Sequence, residues 1–213
     1  MDQEITALKV QKRNPNRVNV YLDGEFAFGL SRITAAWLQT GQILTAEKIR
    51  ELKTADDFEV GYQQAVNYLS YRTRSEQEVR DNLNKHNFSE EVIQAVLEKL
   101  RRLGLVDDRQ FAQTWVENRN EFRPRGQLAL QMELRQKGIE DSLIAEVLAE
   151  LDEDELAYQA AVKQARKYAG LPWEGFRQKM VAFLARRGFH YGVAIPIVER
   201  VWSEYTSPHP TEE

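Results

Sequence analysis

The sequence predicts an all-α protein: three tandem three-helix repeats, helix-turn-helix-like and stacked into an elongated crescent, preceded by a small antiparallel β-sheet and a helix. Three observations lead to this reading. A motif recurs at a spacing of about fifty residues, an uninterrupted helical pattern runs from Ala55 onward, and alternating apolar and polar residues fill the amino-terminal stretch. The recurrences are LNKHNFSEEVIQAVLEKL from Leu83, LRQKGIEDSLIAEVLAEL from Leu134 and LARRGFHYGVAIPIVERV from Leu184. Leu83, Leu134 and Leu184 fall in register, as do Phe88, Ile139 and Phe189, then Val92, Leu143 and Val193, then Leu97, Leu148 and Val198. A fixed period of this size marks units that each expose an apolar face only a neighbouring unit can cover.

The amino-terminal elements come first. Ile5 to Lys12 and Val18 to Leu22 alternate in strand fashion around the turn-forming Asn14-Pro15-Asn16. Asp23-Gly24 suits a two-residue type I′ turn, and Glu25 to Leu30 returns as a third strand. A sheet this small needs a neighbour, either a helix over Ser31 to Gln39 or the first repeat. A second helix is expected from an N-cap at Thr45 through about Lys53.

Each repeat then parses into three helices, the first of them near 56–71, 108–121 and 154–169. Ser75 and Glu78 form a capping box that opens the helix through Leu83, Ser89 caps the next, and Asp107 with Gln110 repeats the box pattern. Arg123-Pro124-Arg125-Gly126 and Gly170-Leu171-Pro172 separate first helix from second in repeats two and three. The matching connector in repeat one reads about five residues shorter by alignment with these, so a tighter angle is expected there. The expected divisions are 1–54 for the sheet and helix, 55–106, 107–153 and 154–205 for the repeats, and 206–213 for a polar, disordered tail.

Composition narrows the function. The chain of 213 residues has 29 Lys and Arg against 33 Asp and Glu, a net charge of −4, so the total does not demand nucleic acid. The distribution is uneven. Residues 107–154 hold 6 bases and 12 acids, whereas residues 155–202 hold 8 bases and 3 acids. The absence of cysteine excludes disulfides, thiolate catalysis and Cys-ligated zinc, and fits a reducing cytoplasm. No apolar run approaches the length of a membrane span and no signal-peptide core follows Met1, so a cytoplasmic protein with no membrane association is expected.

Four segments carry a family likeness: Arg74-Ser75-Glu76-Gln77-Glu78; Gly104-Leu105-Val106-Asp107-Asp108 with Phe111-Ala112; Glu133 to Ile139; and Arg186-Arg187-Gly188-Phe189. In order and spacing they resemble the RecX family of bacterial recombination regulators, over residues 55 to 202. The strand region VYLDGEFAFGLS and the following GQILTAEKI also look like the amino-terminal extension of many members. The resemblance implies a curved stack of three-helix repeats that binds the filament formed by the RecA recombinase on DNA and modulates strand exchange, with inhibition the expected direction. It implies no cofactor. Direct binding of single- or double-stranded DNA is expected to be weaker, and the chain is expected to be a monomer. One departure is His86-Asn87, where the other repeats have Lys137-Gly138 and Arg187-Gly188; Asn can take the same left-handed conformation.

The residues themselves argue for a non-enzyme. Asp107-Asp108 is the most enzyme-like pair, but at a helix start two carboxylates cap backbone N–H groups and favour the positive end of the dipole. His86, His190 and His209 share no metal-ligand spacing, and no phosphate-loop, zinc-protease or nucleophile-elbow pattern occurs. Trp115, Trp173 and Trp202 lie on apolar helix faces and are read as packing residues. The candidate binding residues are basic: Arg72, Arg74, Arg119, Arg123, Arg125, Lys163, Arg166, Lys167, Arg177, Lys179, Arg186 and Arg187. Arg101, Arg102, Arg186 and Arg187 also suit helix ends. Arg123-Pro124-Arg125 has no such explanation, and connectors on rigid scaffolds are where binding residues gather. Stacking is expected to bring Arg123, Arg125, Lys163, Arg166, Lys167, Arg177 and Lys179 towards one side. Two other readings stay open: a helix-turn-helix-like DNA-binding regulator, and a helical scaffold that binds protein alone.

Overall fold

The computed structural model describes residues 2–206. Among them a four-stranded sheet precedes nine α-helices, and the chain divides into two compact units between Val106 and Asp107.

The sheet is antiparallel throughout, in the order β3-β2-β1-β4, from β1 (Gln3–Val10), β2 (Arg17–Leu22), β3 (Glu25–Ser31) and β4 (Ile43–Leu44). Asp23 and Gly24 both have positive φ, 49° and 90°, as a type I′ turn requires. The alternation puts Ile5, Val18, Val20, Leu22, Phe28 and Leu30 on the buried face. β4 is a fourth strand beyond the three expected, too short to show a period. It forms because Ile5 exchanges backbone bonds with the Gly41-Gln42 turn, Gly41 N to Ile5 O at 2.8 Å and Ile5 N to Gln42 O at 2.9 Å. Ser31 to Gln39 does not form the expected helix. Only a 3₁₀ turn forms, over Thr34–Trp37, before Leu38 becomes extended.

The two helices expected on either side of residue 54 are one: α1 runs from Ala46 to Leu69. Thr45 caps it, accepting from Lys48 N at 3.1 Å, and no proline interrupts it. Asp56 on α1 is buried and bonds the sheet twice, to Arg17 Nη2 at 2.9 Å and to the Ser31 backbone N–H. Arg17 in turn donates to Gly29 O at 3.0 Å. The sheet is thereby fastened to the helix that opens the first repeat. Asp56→Ala is expected to destabilise this unit by roughly 1–3 kcal/mol, because it strips the carboxylate from a half-buried guanidinium and a strand N–H. Hydrogen exchange should show it, with β2 and β3 losing protection before α3; equal protection in both proteins would make the link dispensable.

The repeat register has a specific physical cause. In α2 (Glu76–Lys85), α5 (Gln127–Gln136) and α8 (Trp173–Arg186) the leucine of the register is the residue whose carbonyl closes the helix C-terminus. Phe88 N donates to Leu83 O, Ile139 N to Leu134 O and Phe189 N to Leu184 O, while Asn87, Gly138 and Gly188 each bond back three residues. This is the Schellman pattern. It needs a left-handed residue at Asn87 (φ 61°), Gly138 (77°) and Gly188 (87°), and places an apolar side chain just beyond, against the leucine. Leu83, Leu134 and Leu184 are fully buried. The third helices, α3 (Glu90–Arg102), α6 (Asp141–Ala149) and α9 (Tyr191–Thr206), then pack the remaining register positions, Leu97, Leu148 and Val198.

The first helices of repeats two and three are α4 (Asp108–Phe122) and α7 (Glu153–Ala165), the latter followed by a 3₁₀ turn over Arg166–Tyr168. Connectors between first and second helices occupy 70–75, 123–126 and 169–172, so the one in repeat one is not the shorter. Arg123-Pro124-Arg125-Gly126 separates α4 from α5 as expected, α4 ending at Phe122 because Pro124 disfavours a helical conformation at Arg123. Trp115 packs on the core of repeat two, and Trp173 and Trp202 on that of repeat three. Thr206 ends α9, and residues 207–213 of the expected tail lie outside the described residues. No helix among the described residues is long and apolar enough to cross a membrane.

Candidate functional site

Ion pairing inside the chain separates the candidate cations into two groups. Arg72 forms a two-pronged pair with Glu78, at 3.2 and 2.7 Å, and so buttresses the capping box that Glu78 makes with Ser75. That pairing holds the Arg72 guanidinium above its ordinary pKa, the hydrogen bond to Glu78 being the chief cause. Arg74 lies over the Tyr68 ring, 3.8 Å from its centroid. In repeat two, Glu133 gathers three donors: Arg119 Nε at 2.8 Å, Arg125 Nη1 at 2.7 Å and Trp115 Nε1 at 2.9 Å. Arg119 also stacks over Trp115. Arg119 and Arg125 therefore hold α4 to α5, and Arg123 is the cleaner probe of binding at that connector.

The second group has no carboxylate partner among the described residues. It consists of Arg74, Arg123, Lys163, Arg166, Lys167, Arg177, Lys179, Arg186 and Arg187, and all but Arg74 and Arg123 belong to repeat three. The local excess of base over acid explains this, since 155–202 has too few carboxylates to go round. Arg166 borders a groove between α7 and α9 with Tyr158, Val162 and Tyr205. Arg177 borders a second, between α8 and α9, with Trp173, Val181, Tyr191 and Ile195. Lys179 is two residues further along α8, hence about 200° round the helix, and lies over Tyr168 at 5.9 Å. The residues expected along one side thus do not all share it, because Arg177 and Lys179 lie on different faces of α8 and Arg166 borders a groove other than that of Arg177. Tyr191, 65% exposed beside Arg177, is a binding candidate that sequence reasoning passed over. Its position after Gly188-Phe189-His190 gave no sign that it faces outward.

A junction between repeats two and three brings together residues far apart in sequence. α5 has Gly126 at its N-cap and no capping side chain. Its first N–H groups are satisfied by the end of α8 instead: Gly126 N donates to Arg187 O at 2.9 Å and Leu128 N to Gly188 O at 3.2 Å, while Gln127 N donates to Glu153 at 2.9 Å. Positive and negative helix ends meet, which favours the contact. The approach is close enough that a Cβ on Gly126 would strike the Gly188 carbonyl, and one on Gly188 would strike Ala129. Arg187 Nη1 donates to Pro124 O at 3.2 Å, laying its guanidinium along Arg123-Pro124-Arg125 and over the Phe183 ring. Burial, then the like charges of Arg125 and Arg123, push its pKa below the ordinary arginine value. Read from sequence as a helix-end residue, Arg187 is a member of an arginine cluster.

Asp107 accepts Arg109 N and Gln110 N at 2.9 and 3.1 Å and so caps α4. His86 and His190 are exposed, and His209 lies outside the described residues.

Comparison with known proteins matches this architecture piece by piece. The model of the regulatory protein RecX N-terminal domain matches residues 3–45, and those of the first, second and third RecX three-helix domains match 62–100, 107–148 and 152–195. Regulatory protein RecX of Bacillus licheniformis is 35% identical over 194 residues, spanning 89% of this chain and 74% of that protein. The chain belongs to the RecX family. RecX of Bacillus pumilus is 34% identical over 195 residues, with the same 89% and 74% coverage. A crystal structure of regulatory protein RecX superimposes with a TM-score of 0.74 at 31% identity, over 92% of this chain and 99% of that one. RecX from Lactobacillus salivarius gives 0.65 at 29% identity, over 69% and 97%. The small sheet and the three helical repeats are therefore the RecX architecture, and the family is one of regulators rather than of enzymes.

Proposed function

We propose that this chain regulates homologous recombination and DNA repair in the cytoplasm by binding the RecA–DNA filament and inhibiting recombinase ATPase and strand exchange. It binds rather than catalyses. Membership of a regulatory family supports the role, and one observation carries the mechanism: of the nine candidate cations without a carboxylate partner among the described residues, seven lie in repeat three. Unpaired guanidinium and ammonium groups on a folded scaffold are free to replace the counterions of DNA phosphates, at no expense to internal ion pairs. The acidic surface of repeat two is suited to basic protein. Attachment across neighbouring subunits would resist the subunit motions that filament growth and ATP turnover require.

Arg166 and Arg177, bordering two different grooves without carboxylate partners, are the probes. Changing both to Ala should weaken filament binding and flatten its salt dependence by about 0.7 in slope for each single-strand phosphate that the variant no longer neutralises. The melting temperature should stay within a degree or so, since neither group holds another part of the chain. Unchanged affinity and slope at two salt concentrations would move the binding surface off repeat three.

A further inference from the structure

We propose that Arg123, Arg125 and Arg187 form a binding site for a single phosphate group at the junction of repeats two and three. The inference rests on the filament-binding reading and names the chemistry of one point of attachment within it. The backbone lock between Gly126 and Gly188 fixes the α8 end against the α4–α5 connector, and the Arg187 guanidinium is tied to that connector's backbone within electrostatic reach of Arg125 and Arg123 before any ligand arrives. Arg187 is tied to Pro124 O, between the other two residues in sequence. The surroundings are rich in donors and poor in acceptors. Glu133, the carboxylate paired with Arg125, is shared with Arg119 and Trp115, and Glu153 is used by Gln127 N. Asn120 Oδ1 accepts from Arg125 N, and its buried Nδ2 finds no acceptor among the described residues. Three positive charges thus meet one carboxylate, Glu133, which Arg125 already shares with Arg119, while Arg123 and Arg187 have no carboxylate partner among the described residues.

A phosphate supplies what is missing: negative charge and several acceptor oxygens matched to guanidinium forks. The end of α5 plays no part, because its N–H groups already have partners. The phosphate can come from a nucleic-acid backbone or from free phosphate, and the test separates them.

The 213-residue chain is melted in rising inorganic phosphate and in chloride of equal ionic strength, as wild type, Arg123→Gln and Arg187→Gln. Arg123 is exposed and has no carboxylate partner among the described residues, so its replacement leaves the fold intact. Phosphate should raise the wild-type melting temperature by several degrees more than chloride, as ligation of the native state requires, and each variant should lose most of that increment. Labelled oligothymidylate should bind the variants roughly tenfold more weakly, the loss of one charge-assisted hydrogen bond. A phosphate increment that is absent in the wild type, or equal in all three proteins, overturns the site. A variant-sensitive increment with unchanged oligothymidylate binding upholds it for free phosphate and not for nucleic acid. Recombinase ATPase is read on the same preparations. Inhibition without a phosphate increment removes the site and leaves the regulator standing; an increment without inhibition does the reverse.

Discussion

Leu134→Ala is expected to destabilise the second unit by roughly 2–5 kcal/mol, the range for a buried leucine whose cavity cannot collapse. Leu134 is fully buried, packed in one core with Phe111, Leu130, Ile139 and Ile144. The site resists collapse because the Leu134 carbonyl is itself fixed, accepting from Lys137 N at 3.0 Å and from Ile139 N at 3.1 Å at the end of α5. Backbone and side chain of this residue serve different tasks, and the substitution removes only the second. The urea midpoint of the intact chain is the measurement. A midpoint shifted by less than the equivalent of about 1 kcal/mol would mean that the repeat register does not mark the core.

Gly126→Ala is expected to cost about 2–4 kcal/mol at the junction of repeats two and three, through crowding rather than a cavity. Overpacking alone typically costs about 1–3 kcal/mol. Here the obstacle is the Gly188 carbonyl, which also accepts Leu128 N–H, so moving it away loosens an inter-repeat hydrogen bond worth about 1 kcal/mol. Gly188→Ala should be at least as damaging, since it adds a left-handed backbone to a collision with Ala129. Hydrogen exchange at Gly126 and Leu128 reports on the junction directly. Retention of wild-type protection at both amides in Gly126→Ala would show that the junction yields at no cost.

The helical architecture was legible because its signals are local. A leucine, a left-handed residue and an apolar residue at fixed offsets are a helix end written in sequence, and three copies in register revealed the repeat. Asp23-Gly24 and the Ser75–Glu78 box were legible for the same reason. What failed depended on partners distant in sequence. β4 is two residues long and exists because Ile5 captures the Gly41-Gln42 turn. The continuity of α1 was hidden by the division expected at residue 54; Asp56, just beyond it and inside the helix, fastens the sheet.

The candidate site shows the same division. Counting bases against acids identified repeat three as the basic segment, and charge balance decided which cations lack partners. It did not reveal that Glu133 would draw Arg119 and Arg125 into the fold, or that Arg187 would meet the Arg123-Pro124-Arg125 connector 63 residues away. The second of these follows from the close approach of Gly126 and Gly188. Each glycine was read locally, as a helix breaker and as a helix cap, and their function together is to let two backbones touch.

Recombinase ATPase on single-stranded DNA is the direct readout of whether the chain acts on the recombinase filament. Titrating the 213-residue chain into preformed RecA filaments at saturating ATP should lower steady-state hydrolysis in a dose-dependent manner, with inhibition weakening as salt rises and weakening further for the Arg166→Ala, Arg177→Ala protein. Hydrolysis that stays constant across the titration, under conditions where the protein remains folded, would contradict the account.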